Sequence, residues 1–207
     1  MQLFNQINKL KKVFAGLIAL MVLTGCSQVG SGVSIGDTEV SSAQIQKYVD
    51  EILTERSKVD TSQMELDTGA VLIRTQAQFQ IISAILDQII SDKKISVTPA
   101  DVAARRSGIV NQVGGEDQMP RALVAAGLAP SNFDKYLKII LISERLNELV
   151  LEEGVPEEGA GQAITKLVAD AAKKLGVTVN SRYGKWNGST ATIDEADNTD
   201  GAVTPLP

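Results

Sequence analysis

From Thr68 to Ser91 apolar residues recur at helical spacing, and this stretch constrains the rest of the chain more than any other. Ile73, Ala77, Ile81, Ala84, Ile85 and Ile89 make a continuous stripe. Leu72, Ile82, Leu86 and Ile90 widen it beyond the single face that a surface helix presents. A helix that is apolar on most sides has to be covered on most sides. The expected core is therefore several helices packed around this one, with Gln76, Gln78, Gln80, Asp87 and Gln88 at its remaining polar positions. Aromatic residues are only 4% of a chain that is 43% apolar, so the covering is aliphatic.

The flanking segments supply the cover. Ser41 or Ser42 can cap a helix whose apolar face is Ile45, Val49, Ile52 and Leu53. The polar stretch 57–67 reads as a loop. Thr98, Pro99 and Asp101 mark a strong helix start, broken near Gly114. A short helix then ends at Gly127, and the next begins with Ser131 as cap and Asp134 at the capping-box position. Phe133, Leu137, Ile140, Leu141 and Leu149 are its expected buried side. Residues 152–161, EEGVPEEGAG, read as an acidic linker. A last helix over 162–175 buries Ile164, Leu167, Val168, Ala171 and Leu175 and stops at Gly176. Val33 to Ile35 and Val177 to Asn180 alternate as strands, the first followed by a turn at Gly36-Asp37. The fold class expected is mainly α, a lobe of about six helices, with short strands from the N- and C-terminal segments pairing. Residues 188–207 have no sustained periodicity and read as a disordered tail.

The first residues carry Lys9, Lys11 and Lys12 without an acid, and Val13 to Leu23 are apolar or small. Eleven helical residues cover only about half of a bilayer core, so this is expected to be a cleaved secretory leader, residues 1–25, rather than a span. Leu23, Thr24 and Gly25 before Cys26 resemble the bacterial lipobox, which implies a diacylglyceryl group on Cys26 and cleavage just before it. Residues 26–32 are then a small, polar tether. Loss of the leader leaves 17 basic and 25 acidic residues, a net charge of −8, which suits neither nucleic acid nor anionic headgroups. Membrane attachment is expected through the covalent lipid alone, at the outer face of the bacterial cytoplasmic membrane.

Chemistry is sparse. The chain has no histidine, which excludes a serine triad, a cysteine–histidine pair and the usual zinc sites. Glu152-Glu153 and Glu157-Glu158 read as solvated charge, Arg105-Arg106 as the exposed side of a helix, and Asp60, Asp67 and Asp92 are too scattered for a calcium loop. No enzyme activity, metal or cofactor is expected.

Four segments carry a resemblance: SIGDTEVSSAQIQKYVDEIL from Ser34, QIISAILDQIISDKKISVTPADVAARRSGI from Gln80, FDKYLKIILISERLNELV from Phe133 and VTVNSRYGKW from Val177. In succession they resemble the N-terminal chaperone domain of the SurA and PrsA family of extracytoplasmic folding factors, over residues 33–151 and 163–187. The resemblance implies one domain over 33–187, with its main helical part in 33–151, a linker at 152–161 where many relatives insert a parvulin isomerase, and a closing helix and strand in 162–187. It further implies that Arg182, Tyr183, Gly184 and Trp186 close the lobe, with Ser181 where the family usually has proline. Function follows as an expectation: an ATP-independent holdase for unfolded or newly secreted chains, lacking isomerase activity. The candidate peptide-binding residues are Met119, Leu123, Leu128, Phe133 and Tyr136, which are equally placed simply to pack the short helix. The alternative is a scaffold lipoprotein that docks one cell-envelope partner.

Overall fold

The computed structural model describes residues 30–195. The leader, Leu23, Thr24, Gly25, Cys26 and the tether up to Val29 lie outside the described residues, as does the tail from residue 196.

Strand β1 (Ser31–Ile35) turns at Gly36-Asp37 into β2 (Thr38–Ser41), which leads directly into helix α1 (Ser42–Arg56). Gly36 holds a φ of +55°, the left-handed conformation that a two-residue hairpin turn asks of its first residue. Ser41 caps α1 by accepting the Gln44 N–H at 3.1 Å. Next come α2 (Gly69–Lys93), α3 (Pro99–Val113), α4 (Met119–Ala125), α5 (Phe133–Glu152) and α6 (Glu157–Leu175). The described residues thus hold six α-helices and a few short strands, the mainly α class expected. The chain finishes with β3 (Val177–Val179), a 3-10 turn at Ser181–Tyr183, and the hairpin β4 (Lys185–Asn187) and β5 (Thr192–Asp194).

α2 runs through the middle, as its apolar breadth requires. Ala77, Ile81, Ile85, Leu86 and Ile89 are buried against Val33 and Ile35 of β1, Ile45 of α1, and Ile142 and Leu146 of α5. Ile164, Leu167, Val168, Ala171 and Leu175 of α6 close the same cluster. Burying each aliphatic side chain of this size contributes about 1.5–3 kcal/mol. The sheet order is β2-β1-β3, all antiparallel, with Val33 opposite Val179 and Ile35 opposite Val177. The two ends of the domain therefore share one sheet.

Several boundaries move. The linker shrinks to the short break between Glu152 and Glu157, because Pro156 starts a helix whose first turn carries Glu157 and Glu158, the charge a helix N-terminus favours. The tether gives up Ser31 and Gly32 to β1, where a bulge brings Gly32 so close to β2 that a Cβ would lie 2.4 Å from the Val40 carbonyl oxygen. The tail gives up Thr192–Asp194 to β5, where Ile193 is buried in the main core. Ser131 does not cap α5. It sits in a 3-10 turn, Pro130–Asn132, and its N–H donates to Glu51. The buried stripe of α5 is Phe133, Leu137, Ile142, Leu146 and Val150, while Ile140, Leu141 and Leu149 are only half-buried.

Candidate functional site

The five candidate peptide-binding residues fall where α4 turns into α5. Met119, Leu128 and Phe133 are buried together with Leu137, and Leu123 rests half-buried against them. Tyr136 is 37% exposed and lies outside this cluster. The expected surface lining is thus an interior, and the packing alternative describes this conformation. The physical reason is α3. Its Val102, Ile109, Val110 and Val113 pack against the cluster, as does Phe79 of α2.

Two arginines fasten α3 there. Arg106 donates from Nε and Nη2 to Asp134 Oδ1 at 3.0 and 2.7 Å, and its guanidinium lies 4.6 Å from the centre of the Phe133 ring. Arg105 pairs with Glu144 farther along α5. Sequence reading gave these arginines to solvent. A charged residue beside half-buried aliphatics in a peripheral helix has no signature that distinguishes a latch from a solvated face. Neighbouring polar groups tie the corner to the centre. Gln76 donates to the Gly127 carbonyl at 3.0 Å, and Lys135 donates to Gln80 Oε1 at 2.8 Å. Partial burial holds the Lys135 ammonium below the usual lysine range.

The closing segment sits at the opposite chain end. Tyr183 is buried in the main core, Trp186 packs half-buried on it, and Arg182 is exposed. Arg74 donates to the Tyr183 carbonyl at 3.0 Å and to Glu195 at 3.1 Å. One turn later on α2, Gln78 binds β5 as a neighbouring strand would. Its Nε2 donates to the Ala191 carbonyl and its Oε1 accepts the Ile193 N–H, both at 2.7 Å. Arg182 borders a pocket of about 490 Å³ together with Ser42, Gly69 and Ala70, at the N-terminal ends of α1 and α2.

Among the described residues no group of histidine, cysteine and carboxylate side chains could hold a metal ion, and no helix is long and apolar enough to cross a membrane. Three carboxyls are held below the usual aspartate range: Asp60 by the Ser62 N–H, Asp92 by the Lys174 ammonium, and Asp101 by the Thr98 N–H. A depressed folded-state value contributes stability above the unfolded value of about 3.9, and that stability is lost as pH falls through the folded value. With no histidine, no side chain of ordinary pKa changes charge between about pH 5.5 and 8. Urea midpoints followed by Trp186 fluorescence are expected to be flat across that window and to drop below about pH 4. A midpoint that slopes near pH 6.5 would contradict this account.

Comparison of the chain with protein-family profiles, with curated proteins and with solved structures finds no match.

Proposed function

We propose that the protein is a lipid-anchored extracytoplasmic chaperone of the SurA and PrsA type. It holds unfolded or newly secreted chains without ATP and without isomerase activity, at the outer face of a bacterial cytoplasmic membrane. The observation that carries this reading is the antiparallel pairing of Val33–Ile35 with Val177–Val179. It joins both ends of a six-helix lobe in the order that the resemblance implies, and only the short turn between Glu152 and Glu157 stands where relatives carry a parvulin domain. Cys26 after Leu23-Thr24-Gly25 supports the anchor.

The test is light scattering from a chemically denatured model protein diluted into the mature chain, residues 26–207, at near-equal molar ratio. Suppression is expected, and an equally acidic control protein should give none. No suppression at several-fold excess would end the holdase reading. One observation favours the scaffold instead. The large apolar residues exposed among the described residues are four, Leu53 on α1, Val71 on α2, and Tyr136 and Leu151 fifteen residues apart on α5, which is little apolar surface for many clients. A scaffold would retain one envelope partner tightly and leave the scattering unchanged.

A further inference from the structure

Among the described residues α3 is the one α-helix that fully buries none of its side chains. It is nonetheless well formed as a helix. Thr98 and Asp101 make a reciprocal capping box, with the Asp101 N–H donating to Thr98 Oγ1 at 3.2 Å and the Thr98 N–H to Asp101 Oδ2 at 2.8 Å. So α3 is internally sound, and it lies along α5 without fully burying a side chain. Its attachment is four half-buried aliphatics, the Arg106 contacts to Asp134 and Phe133, and the Arg105–Glu144 pair. Exposed pairs of this kind are weak.

Both ends of α3 are joints. Lys94 closes α2 in the left-handed conformation at φ +57°, and Gly114 and Gly115 follow α3 at φ +99° and +105°. A Cβ on Gly115, or on Gly108 in mid-helix, would meet nothing within 4 Å, so neither glycine is there to let another group approach. Beneath α3 lies a continuous apolar surface of Met119, Leu123, Leu128, Phe133 and Leu137.

We propose that α3 is a displaceable lid, and that the apolar cluster beneath it receives an aliphatic segment of a client chain in α3's place. α3 itself displays the chemistry that fits: β-branched aliphatics on one helical face, with basic side chains beside them that reach Asp134 and Glu144. The preferred client segment is therefore aliphatic, helix-prone and basic at its flank. The client half of this inference rests on the holdase reading, whereas the lid does not.

Met119 is the reporter, since it is buried in the cluster while Met64 sits half-exposed on the loop after α1 and serves as the internal reference. Oxidation of both by dilute hydrogen peroxide, read by mass spectrometry in rising urea, separates lid opening from global unfolding reported by Trp186. A lid exposes little surface, so the Met119 rate should depend on urea with less than about half the global slope. Arg105→Ala/Arg106→Ala should raise the Met119 rate about tenfold, and Glu144→Gln, which leaves α3 untouched, should raise it about threefold. Excess reduced, carboxymethylated lactalbumin, a permanently unfolded chain, should slow Met119 oxidation in the double variant at least threefold.

A Met119 rate that follows the full global slope overturns the lid. Suppression of aggregation without protection of Met119 overturns the site and leaves the chaperone reading standing. Sub-global opening with no suppression by either protein overturns the chaperone reading, and with it the client.

Discussion

Gly184→Ala is expected to cost about 4 kcal/mol of folding stability, or to leave the chain unfolded if its total is at the low end of the ordinary range. Two separate penalties meet at this position. Gly184 has a φ of +130°, a conformation that L side chains rarely adopt, and such strain costs roughly 1–3 kcal/mol. A Cβ there would also lie 2.1 Å from the Asp194 carbonyl oxygen and 3.0 Å from Ile193 Cγ2. The first is backbone and cannot rotate away, so β5 has to retreat, and overpacking of this kind adds roughly 1–3 kcal/mol. Retreat of β5 also pulls Ile193 from the core and breaks both bonds from Gln78. Urea unfolding followed by Trp186, the only tryptophan, reads the loss directly. Gly188→Ala is the control. Its Cβ would meet only Trp186 Nε1 at 3.7 Å, and a change within about 0.5 kcal/mol is expected. A loss below about 1 kcal/mol at Gly184 would mean that the hairpin is not held as described.

That same hairpin shows where sequence reading stops. The order of helices was legible because each boundary is written locally: Thr98-Pro99-Asp101 opens α3, Gly114 and Gly176 end helices, and the breadth of the α2 stripe fixes it at the centre. The pairing of β1 with β3 was legible from two short alternating segments and the resemblance that linked them. What escaped depends on contacts between distant residues. Thr192–Asp194 is too short and polar to announce a strand; it becomes one by pairing with Lys185–Asn187, and Gln78, 115 residues before Ile193, binds it from α2. Gly32 looked like linker glycine until β2 folded back on it. Of the five candidate residues, Met119, Leu123, Leu128 and Phe133 lie together and Tyr136 does not, and their exposure depends on α3, whose half-apolar face gives no local sign of which partner it covers.

The consequence for the site is a second large effect. Phe133→Ala is expected to cost about 3–5 kcal/mol, and Tyr136→Ala less than about 1 kcal/mol, although the two stand three residues apart on α5 and both were candidates for the same role. Phe133 is 3% exposed among Met119, Leu128 and Leu137, so truncation leaves a cavity beneath α3 and removes the ring on which Arg106 lies. Tyr136 is 37% exposed and outside the cluster, so its truncation opens no enclosed cavity. Urea midpoints for the two variants, measured side by side, decide between an interior and a standing surface groove. Equal, small losses would mean that Phe133 is a surface residue held out for clients. A large loss at Phe133 alone means that this corner is an interior beneath α3, so under the proposed lid any client would meet it only after α3 leaves, and a defect in holding by Phe133→Ala would have to be measured at matched folded fraction.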